Sequence, residues 1–360
     1  MLNKKISPIA CILALCLSFM ASAFSGDLSP PPGPIQPTNK VQILAQSISL
    51  PYTISSPGSY KLTSNITGVS GEHGIIIGSG NVTLDLNGFC LKGVAGSLNA
   101  IAVQVTANST VYKNVVVKNG NISDWGGAGV HLTSFNQMTQ SEGNVLGARL
   151  EDLIVKDCGL VGIRSIGHVH CFNSAVESCG IGYQIGASSS LRNCTAINNS
   201  GIGFVVLDHS TMSECIARQN GEVGIYGGSG LVISKCSIAE NVGGGIEVSR
   251  GSRINNCALE DNSLFGIKVD FASLVTGCTI YNTEGDGVLG SNVGQGAPNC
   301  IDGNHIISSS GWGINFPNSP DNFVYRNTLF RNTNNINAAN SDAPIATSSA
   351  GAGPLDNIVP

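Results

Sequence analysis

The sequence predicts an all-β fold, a right-handed parallel β-helix (a solenoid) whose rungs are about 21 residues long. Two columns of residues and the composition of the chain lead to this prediction. Five cysteines recur at intervals of 21 residues, and four asparagines follow with the same step. The two columns are Cys194, Cys215, Cys236, Cys257 and Cys278, and Asn199, Asn220, Asn241 and Asn262. A fixed period of this length is typical of solenoids, in which each repeat stacks on its neighbours.

The composition agrees with a coil of strands. The 360 residues are 42% apolar and only 11% charged, and they include 46 glycines. Such a chain can bury a large core and has little use for long charged helices. The net charge of -5 and the scattered lysines and arginines give no clustered basic face for a nucleic-acid backbone. We therefore expect no nucleic-acid partner.

A single rung indicates strands and turns. Ile246 and Val248 alternate with other residues, Gly251 and Ser252 mark a turn, and apolar residues resume at Ile254. Alternation with period two places one face of a strand inward. These segments are too short and too rich in glycine and β-branched residues to hold a helix. Leucine-rich repeats would require leucines at a different spacing, and a coil of hexapeptides does not fit 21 residues.

Four regions are predicted along the chain. Lys4 and Lys5 precede an apolar run that ends in a small-residue cleavage pattern, which predicts a signal peptide over residues 1–23 and an exported protein, secreted or at the cell surface. Residues 24–47 are proline-rich and predict an extended linker. The β-helix is predicted over 48–335 and a flexible C-terminal tail over 336–360. No membrane span is expected after cleavage of the signal.

The two columns have structural interpretations. In-register neighbours on parallel strands are farther apart than a disulfide prefers, which favours an inward stack of free thiols; disulfides or a metal site are the alternatives. The asparagines are expected at an inward corner, bonding from rung to rung. Cys158 and Cys179 are expected where serine, glycine or valine stands in later rungs. Asn173 is expected in the cysteine column, with Cys171 out of step and the rung irregular by one residue.

Several segments resemble a large group of exported bacterial proteins known as right-handed parallel β-helix repeat proteins. They are ISSPGSYKLTSNITG, NVTLDLNGFCLKG, KNVVVKNGNISDWGGAGVHL and, after the repeats, DNFVYRNTLFRNT. The resemblance covers nearly all of the chain after the signal. It implies a fold but no activity, since the broader pectate-lyase-like β-helix class includes pectate lyases, polygalacturonases, alginate epimerases, phage tailspikes and adhesins.

The site motifs of the enzymes in that class are mostly missing from this sequence. The chain lacks the N-T-D, paired-aspartate, G-H-G and R-I-K motifs that polygalacturonases would show for paired-carboxylate hydrolysis. It also lacks the R-x-P-x-x-R and D-P-H segments associated with pectate lyases and alginate epimerases. These absences weaken the enzyme assignments, although a divergent site stays open.

One outward column of side chains is a candidate site. If Ile246 and Val248 face inward, Glu247 faces outward, and the matching positions on neighbouring rungs are Gln184, Val205, Tyr226 and Lys268. Lys268, Arg250, Glu247 and Asp270 could supply the base and the cation that a lyase or epimerase of uronate polymers needs. Tyr226 and Gln184 are candidates for binding sugar. A solvated cluster of charges is the alternative.

A second candidate is the pair His168 and His170, whose spacing places both rings on one face of a strand with Cys171 opposite. Two such imidazoles can begin a metal site, although no third ligand is identifiable. Asp208 and His209 are expected in a polar turn. No cofactor motif occurs, and no cofactor is expected.

Three functions are therefore weighed. The first is an exported β-helix that binds polysaccharide or acts at the cell surface. The second is a polysaccharide lyase or epimerase that acts on uronate polymers, and the third is a structural or adhesin-like envelope protein. Glycan binding without product would favour the first function, and release of an unsaturated uronate would favour the second.

Overall fold

The computed structural model describes residues 42–44, 48–103, 111–136, 141–290, 297–317, 322–338, 345–346 and 356–359. The predicted signal peptide and most of the predicted linker lie outside these residues. Every regular element within them is a β-strand. None of the described residues forms a helix that is long and apolar enough to cross a membrane. The predicted all-β class is confirmed.

One face of the coil is a sheet of parallel strands, here called the front sheet, with thirteen members among the described residues. Successive strands are in register, so that Ile246 pairs with Ile267 and Glu247 with Lys268. Each turn of the coil returns the chain to this sheet one strand separation farther on, about 4.8 Å. The strands are Tyr52–Ile54, Ile75–Ile77, Ile101–Val103, Val130–His131, Val161–Ser165, Ile181–Ile185, Phe204–Val206, Val223–Gly227, Gly244–Val248, Phe265–Val269, Asp286–Gly290, Trp312–Phe316 and Asn334–Ala338.

Two further faces complete each rung. The second face follows the front strand and consists of Gln42–Leu44, Gly58–Leu62, Val82–Asp85, Val169–Phe172, Ser190–Arg192, Thr211–Ser213, Val232–Ser234, Arg253–Asn255, Leu274–Thr276, Cys300–Asp302 and Phe323–Tyr325. The third face consists of Ile66–Thr67, Cys90–Lys92, Ala175–Glu177, Thr195–Ile197, Ile216–Arg218, Ser237–Ala239, Ala258–Glu260, Thr279–Tyr281, His305–Ile307, Thr328–Phe330, Ile345–Ala346 and Asn357–Ile358. Val115–Ser123 and Ala148–Lys156 run through both faces, and a small separate sheet joins Val111–Lys113, Thr133–Asn136 and Ser141–Leu146.

Each regular rung turns at three corners, and each corner contains one residue in the left-handed region. In one rung these residues are Gly251, Asn256 and Asp261, with φ values of 70°, 51° and 52°. Glycine, asparagine and aspartate adopt this conformation at the lowest cost. The residue after each of them points inward and is buried, and these residues are Ser252, Cys257 and Asn262. The cysteine and asparagine columns of the sequence are therefore two of the three inner corners.

The cysteine column is confirmed as an inward stack. Cys215 and Cys236 are buried and free, and each thiol lies within hydrogen-bonding distance of the carbonyl oxygen two residues earlier, at 3.4 and 3.3 Å. A hydrogen bond with Cys194, together with burial, raises the pKa of Cys215 to about 12. The column continues beyond Cys278 as an asparagine ladder, because the Cys278 N–H donates to Oδ1 of Asn304 at 2.9 Å.

The asparagine column is confirmed as a hydrogen-bonded corner. Nδ2 of Asn220 donates to Oδ1 of Asn241, and Nδ2 of Asn241 donates to Oδ1 of Asn262, both at 2.9 Å. The same oxygens accept the backbone N–H of the preceding rung, as from Asn220 to Asn241 at 3.1 Å. Each amide therefore satisfies buried backbone as well as its neighbour in the ladder.

Two details of the early rungs differ from the prediction. The rung before the regular repeat has 20 residues, as in the bond from the Cys179 N–H to Oδ1 of Asn199. Cys158 and Cys179 therefore belong to the asparagine column and not beside the later serine, glycine or valine. For the same reason Ser174 takes the place below Cys194, while Asn173 is a left-handed corner residue with φ of 49°.

The boundaries of the coil also differ from the prediction. Gln42–Leu44 pairs with Tyr60–Leu62, so the coil begins within the segment predicted as linker. In the segment predicted as a flexible tail, Asn357 is fully buried and its Oδ1 accepts from Nδ2 of Asn327 at 3.0 Å. That bond extends the asparagine ladder, which is why this part of the tail packs on the coil.

Candidate functional site

The front sheet presents an outward column with one side chain per rung. Ile246 and Val248 are buried and Glu247 points outward, as predicted. The register aligns the predicted neighbours in a single column, which runs Arg164, Gln184, Val205, Tyr226, Glu247 and Lys268. Tyr226 is 43% exposed and stands out from the sheet. The coil therefore displays a line of polar and aromatic side chains at the spacing of its strands.

An apolar stripe accompanies this column, three residues earlier on each strand. Ile181, Ile202 and Val223 are partly exposed there, whereas Phe265 is nearly buried. Nζ of Lys268 lies 5.7 Å from the centre of the Phe265 ring, so the stripe and the column are in contact at that rung. Apolar and polar side chains thus alternate across the width of the sheet.

The charges at the centre of the predicted site neutralise each other. Nζ of Lys268 lies 2.8 Å from Oε1 of Glu247, and both side chains are about 30% exposed, at 31% and 27%. A partly exposed pair of this kind contributes up to about 1 kcal/mol. The Glu247 carboxylate is thus already held by a cation.

Arg250 and Asp270 lie beyond the ends of their strands. Arg250 lines a shallow depression at the corner after the front sheet, beside Asp208 and His209. Asp208 is held there, since its Oδ1 accepts the Ser229 N–H at 2.7 Å. The predicted polar turn at Asp208 and His209 is confirmed, while Asp270 follows Val269 and is half-buried. The catalytic roles of Glu247, Arg250, Lys268 and Asp270 stay predictions, as do the binding roles of Tyr226 and Gln184.

His168 and His170 lie on the second face, away from the front sheet. Their ring centres are 5.6 Å apart and the rings are nearly perpendicular, while His170 stacks on Phe172 at 6.2 Å. Cys171 is buried on the opposite side, as predicted. In the part of the chain that the structure describes, no three histidine, cysteine, aspartate or glutamate side chains are grouped to hold a metal ion.

A second polar cluster, which the sequence reasoning missed, lies on the N-terminal half of the front sheet. His131 and Arg164 are register partners in the outward column. His73 and Asn99 occupy the position of the apolar stripe on earlier rungs. The Asn99 N–H donates to Nδ1 of His73 at 3.2 Å, and Nδ2 of Asn99 lies 3.0 Å from Nδ1 of His131. These four residues are here called the histidine–arginine cluster.

The hydrogen bonds of Asn99 determine the tautomer of His131. Oδ1 of Asn99 accepts the Ala128 N–H at 2.7 Å, so Nδ2 is the atom that faces His131 and donates to it. Nδ1 of the neutral ring is then the acceptor and Nε2 carries the proton. Burial, with smaller effects from the Arg164 cation and from His73, lowers the pKa of His131 to about 4. Burial also lowers the pKa of His73.

Arg164 is the unsatisfied member of the cluster. Its Nε is buried and has no hydrogen-bond partner among the described residues. Arg164 also takes part in none of the ion pairs found among those residues. A guanidinium with a free Nε–H offers a planar fork that suits a carboxylate. Chemically, the cluster can donate hydrogen bonds and hold an anion.

A signal for this cluster exists in the sequence. Gly162, Ile163 and Arg164 repeat the Gly-Ile-x pattern of Gly245, Ile246 and Glu247, and His131 follows Gly129 and Val130 in the same way. The variable length of the early rungs hides it, since Asn99 and His131 are 32 residues apart but adjacent in space.

Comparisons with known proteins bear on the fold. Residues 160–292 match the family model "Right handed beta helix region". No curated protein matches the sequence. Solved structures with a similar fold include the mannuronan C-5 epimerase AlgE6 A-module of Azotobacter vinelandii, with 14% identity, a TM-score of 0.43, and coverage of 83% of this chain and 91% of that one.

Two other structures are similar at the same level. The periplasmic alginate epimerase AlgG has 13% identity and a TM-score of 0.35, with coverage of 88% of this chain and 76% of that chain. The Dettilon tailspike protein has 13% identity and a TM-score of 0.32, and this chain, covered over 89%, spans 60% of its length. Likeness at this identity shows the fold alone. With the parallel register, the three faces and the family match, the chain is a right-handed parallel β-helix protein.

Proposed function

We propose that this protein is exported and binds an extended polysaccharide along its front sheet at the cell surface. The observation that carries the proposal is the outward column from Arg164 to Lys268, which offers a side chain on every rung. Its members are spaced by one strand separation, about 4.8 Å, close to the repeat of an extended sugar chain. Polar members can bond hydroxyl groups, and Tyr226 with the apolar stripe can pack on sugar rings.

Binding fits the site better than elimination or epimerisation does. A general base needs an available lone pair close to the proton that it removes. The Glu247 carboxylate is engaged by Lys268, and Nδ1 of His131 is engaged by Asn99. These groups hold and orient more readily than they abstract. Export is supported by the signal-like N-terminal pattern of the sequence.

The experiment compares two tyrosines of equal exposure on different faces. Tyr226 on the front sheet is 43% exposed and Tyr281 on the third face is 44% exposed. Affinity electrophoresis in gels that contain acidic or neutral polysaccharides measures binding of the purified chain. Tyr226→Ala is expected to weaken binding about tenfold, which corresponds to about 1.4 kcal/mol, whereas Tyr281→Ala should leave it unchanged.

Three outcomes contradict the proposal. Equal effects of the two tyrosine variants would move binding away from the front sheet. Release of an unsaturated uronate, detected by its ultraviolet absorbance, would replace binding by lyase activity. Absence of both binding and product, across the acidic and neutral polymers, would favour a structural envelope role.

A further inference from the structure

The histidine–arginine cluster carries an inference about the class of polysaccharide. We infer that Arg164 and His131 form a subsite for the carboxylate of a uronic acid residue in the bound chain. The inference rests on the proposed function, because it places one charged sugar on the same front sheet. Arg164 supplies the cation and the planar fork, and Nε2–H of His131 supplies a neutral donor beside it.

The position of Arg164 supports a ligand rather than an internal partner. It stands in the outward column between His131 and Gln184, so its side chain leaves the sheet where a bound chain would lie. The side chain is nevertheless half-buried and its Nε is orphaned. A buried donor without a partner costs about 1–3 kcal/mol, and more when charged. An anionic ligand at this position would remove that cost.

The charges around the subsite select an anion. The charged or titratable groups that act on His131 are Arg164 and His73, and neither is acidic. Glu72 is the acidic group that acts on the cluster, through His73, and it is exposed. The next cation of the outward column, Lys268, is already neutralised by Glu247. The free positive charge of the column is therefore concentrated at Arg164, which predicts one anionic subsite.

The geometry favours a carboxylate. Nε–H and one Nη–H of a guanidinium match the two oxygens of a planar carboxylate in a bidentate pair. The adjacent Nε2–H of His131 is fixed by Asn99 and can donate to a third acceptor, such as a neighbouring hydroxyl or the ring oxygen. Together these donors would recognise a uronic acid in one orientation along the sheet.

The experiment uses polygalacturonate and alginate, each paired with its carboxyl-reduced form, and dextran sulfate as a non-carboxylate polyanion. Binding of the full chain is measured by affinity electrophoresis. Arg164→Gln is expected to weaken binding of the uronate polymers about 10–100-fold, to the level of the carboxyl-reduced polymers. Arg164→Lys should fall between, because it keeps the charge and loses the fork. Arg253→Gln, which removes an exposed arginine from the second face, is the matched control.

The outcomes separate this inference from the proposed function. If acidic and carboxyl-reduced polymers bind equally and binding still falls in Tyr226→Ala, the function stands and the carboxylate subsite is wrong. If dextran sulfate binds as tightly and also depends on Arg164, the subsite recognises anions in general and the uronate assignment is wrong. If no polymer binds, both fail. Should Arg164→Gln lose its folded circular dichroism spectrum, His131→Gln takes its place, and unchanged uronate binding in that variant would overturn the subsite.

Discussion

The side-chain amide of Asn99 donates to Nδ1 of His131 across 3.0 Å, while its oxygen holds the Ala128 N–H. One asparagine therefore connects the backbone of one rung to the imidazole of the site. Protonation of His131 at Nδ1 would place two donors against each other. The hydrogen bond and burial act in the same direction, and both favour the neutral ring.

The stability of the fold should depend on pH through His131. Its pKa falls from the usual 6.5 to about 4 in the folded chain, mainly because of burial and then because of Arg164 and His73. Between these values the unfolded chain binds a proton that the folded chain does not, so stability is full above pH 6.5 and declines as the pH falls to about 4. His131→Gln should show a shallower decline when the melting temperature is measured across this window. Parallel curves for the two proteins would contradict the assignment, since His73 contributes equally to both.

The asparagine ladder should be sensitive to removal of one amide. Asn241 is fully buried, accepts from Asn220, and donates to Oδ1 of Asn262 and to the carbonyl oxygen of Ala217. Asn241→Ala leaves several buried groups unpaired, each at about 1–3 kcal/mol. The midpoint of chemical unfolding should therefore fall clearly. Asn255→Ala on the partly exposed second face is the control and should change little; equal losses would mean that the ladder adds no stability.

The glycine column predicted by the repeat should tolerate no side chain. A Cβ at Gly245 would lie 2.4 Å from the carbonyl oxygen of Gly266 on the next rung. Backbone cannot yield at that position, so Gly245→Ala should destabilise the fold by about 1–3 kcal/mol, as other overpacked sites do. Gly251→Asn is the matched control, because its corner has open space and φ of 70°, which asparagine accepts. A thermal melt of both variants tests the difference, and equal melting temperatures would be incompatible with it.

The thiols should react in two classes. Cys90 and Cys300 are partly exposed, whereas the other free cysteines of the described chain are buried. Brief treatment of the folded protein with a maleimide should label Cys90 and Cys300, and the column from Cys194 to Cys278 should react only after unfolding. Peptide mapping by mass spectrometry locates the label. Rapid labelling of Cys236 in the folded protein would show that the inward stack is wrong.

The regular middle of the coil could be predicted from the sequence because every rung there repeats the same three corners. A constant step of 21 residues converts directly into columns, so the inward cysteines and asparagines and the outward position of Glu247 followed from spacing alone. A single 20-residue rung was enough to misplace Asn173 and the pair Cys158 and Cys179. Register is a cumulative quantity, and one missing residue shifts every earlier assignment.

The histidine–arginine cluster was missed for the same physical reason. Its members come from rungs of unequal length, so His73, Asn99 and His131 share no sequence interval, although hydrogen bonds connect them through Asn99. Side-chain burial also escapes a reading by spacing. Only coordinates show that Nε of Arg164 is enclosed without a partner, whereas Lys268, which attracted the first hypothesis, is already paired.

The stacking of identical cross-sections gives the molecule a graduated length. Arg164 and Lys268 occupy the same place in different rungs, so their separation is fixed by the number of turns between them. Gain or loss of one complete turn would leave every corner and column intact and move the two residues by one graduation, about 4.8 Å. The coil is thus a ruler whose divisions can be added or removed singly, while the marks at either end keep their chemistry.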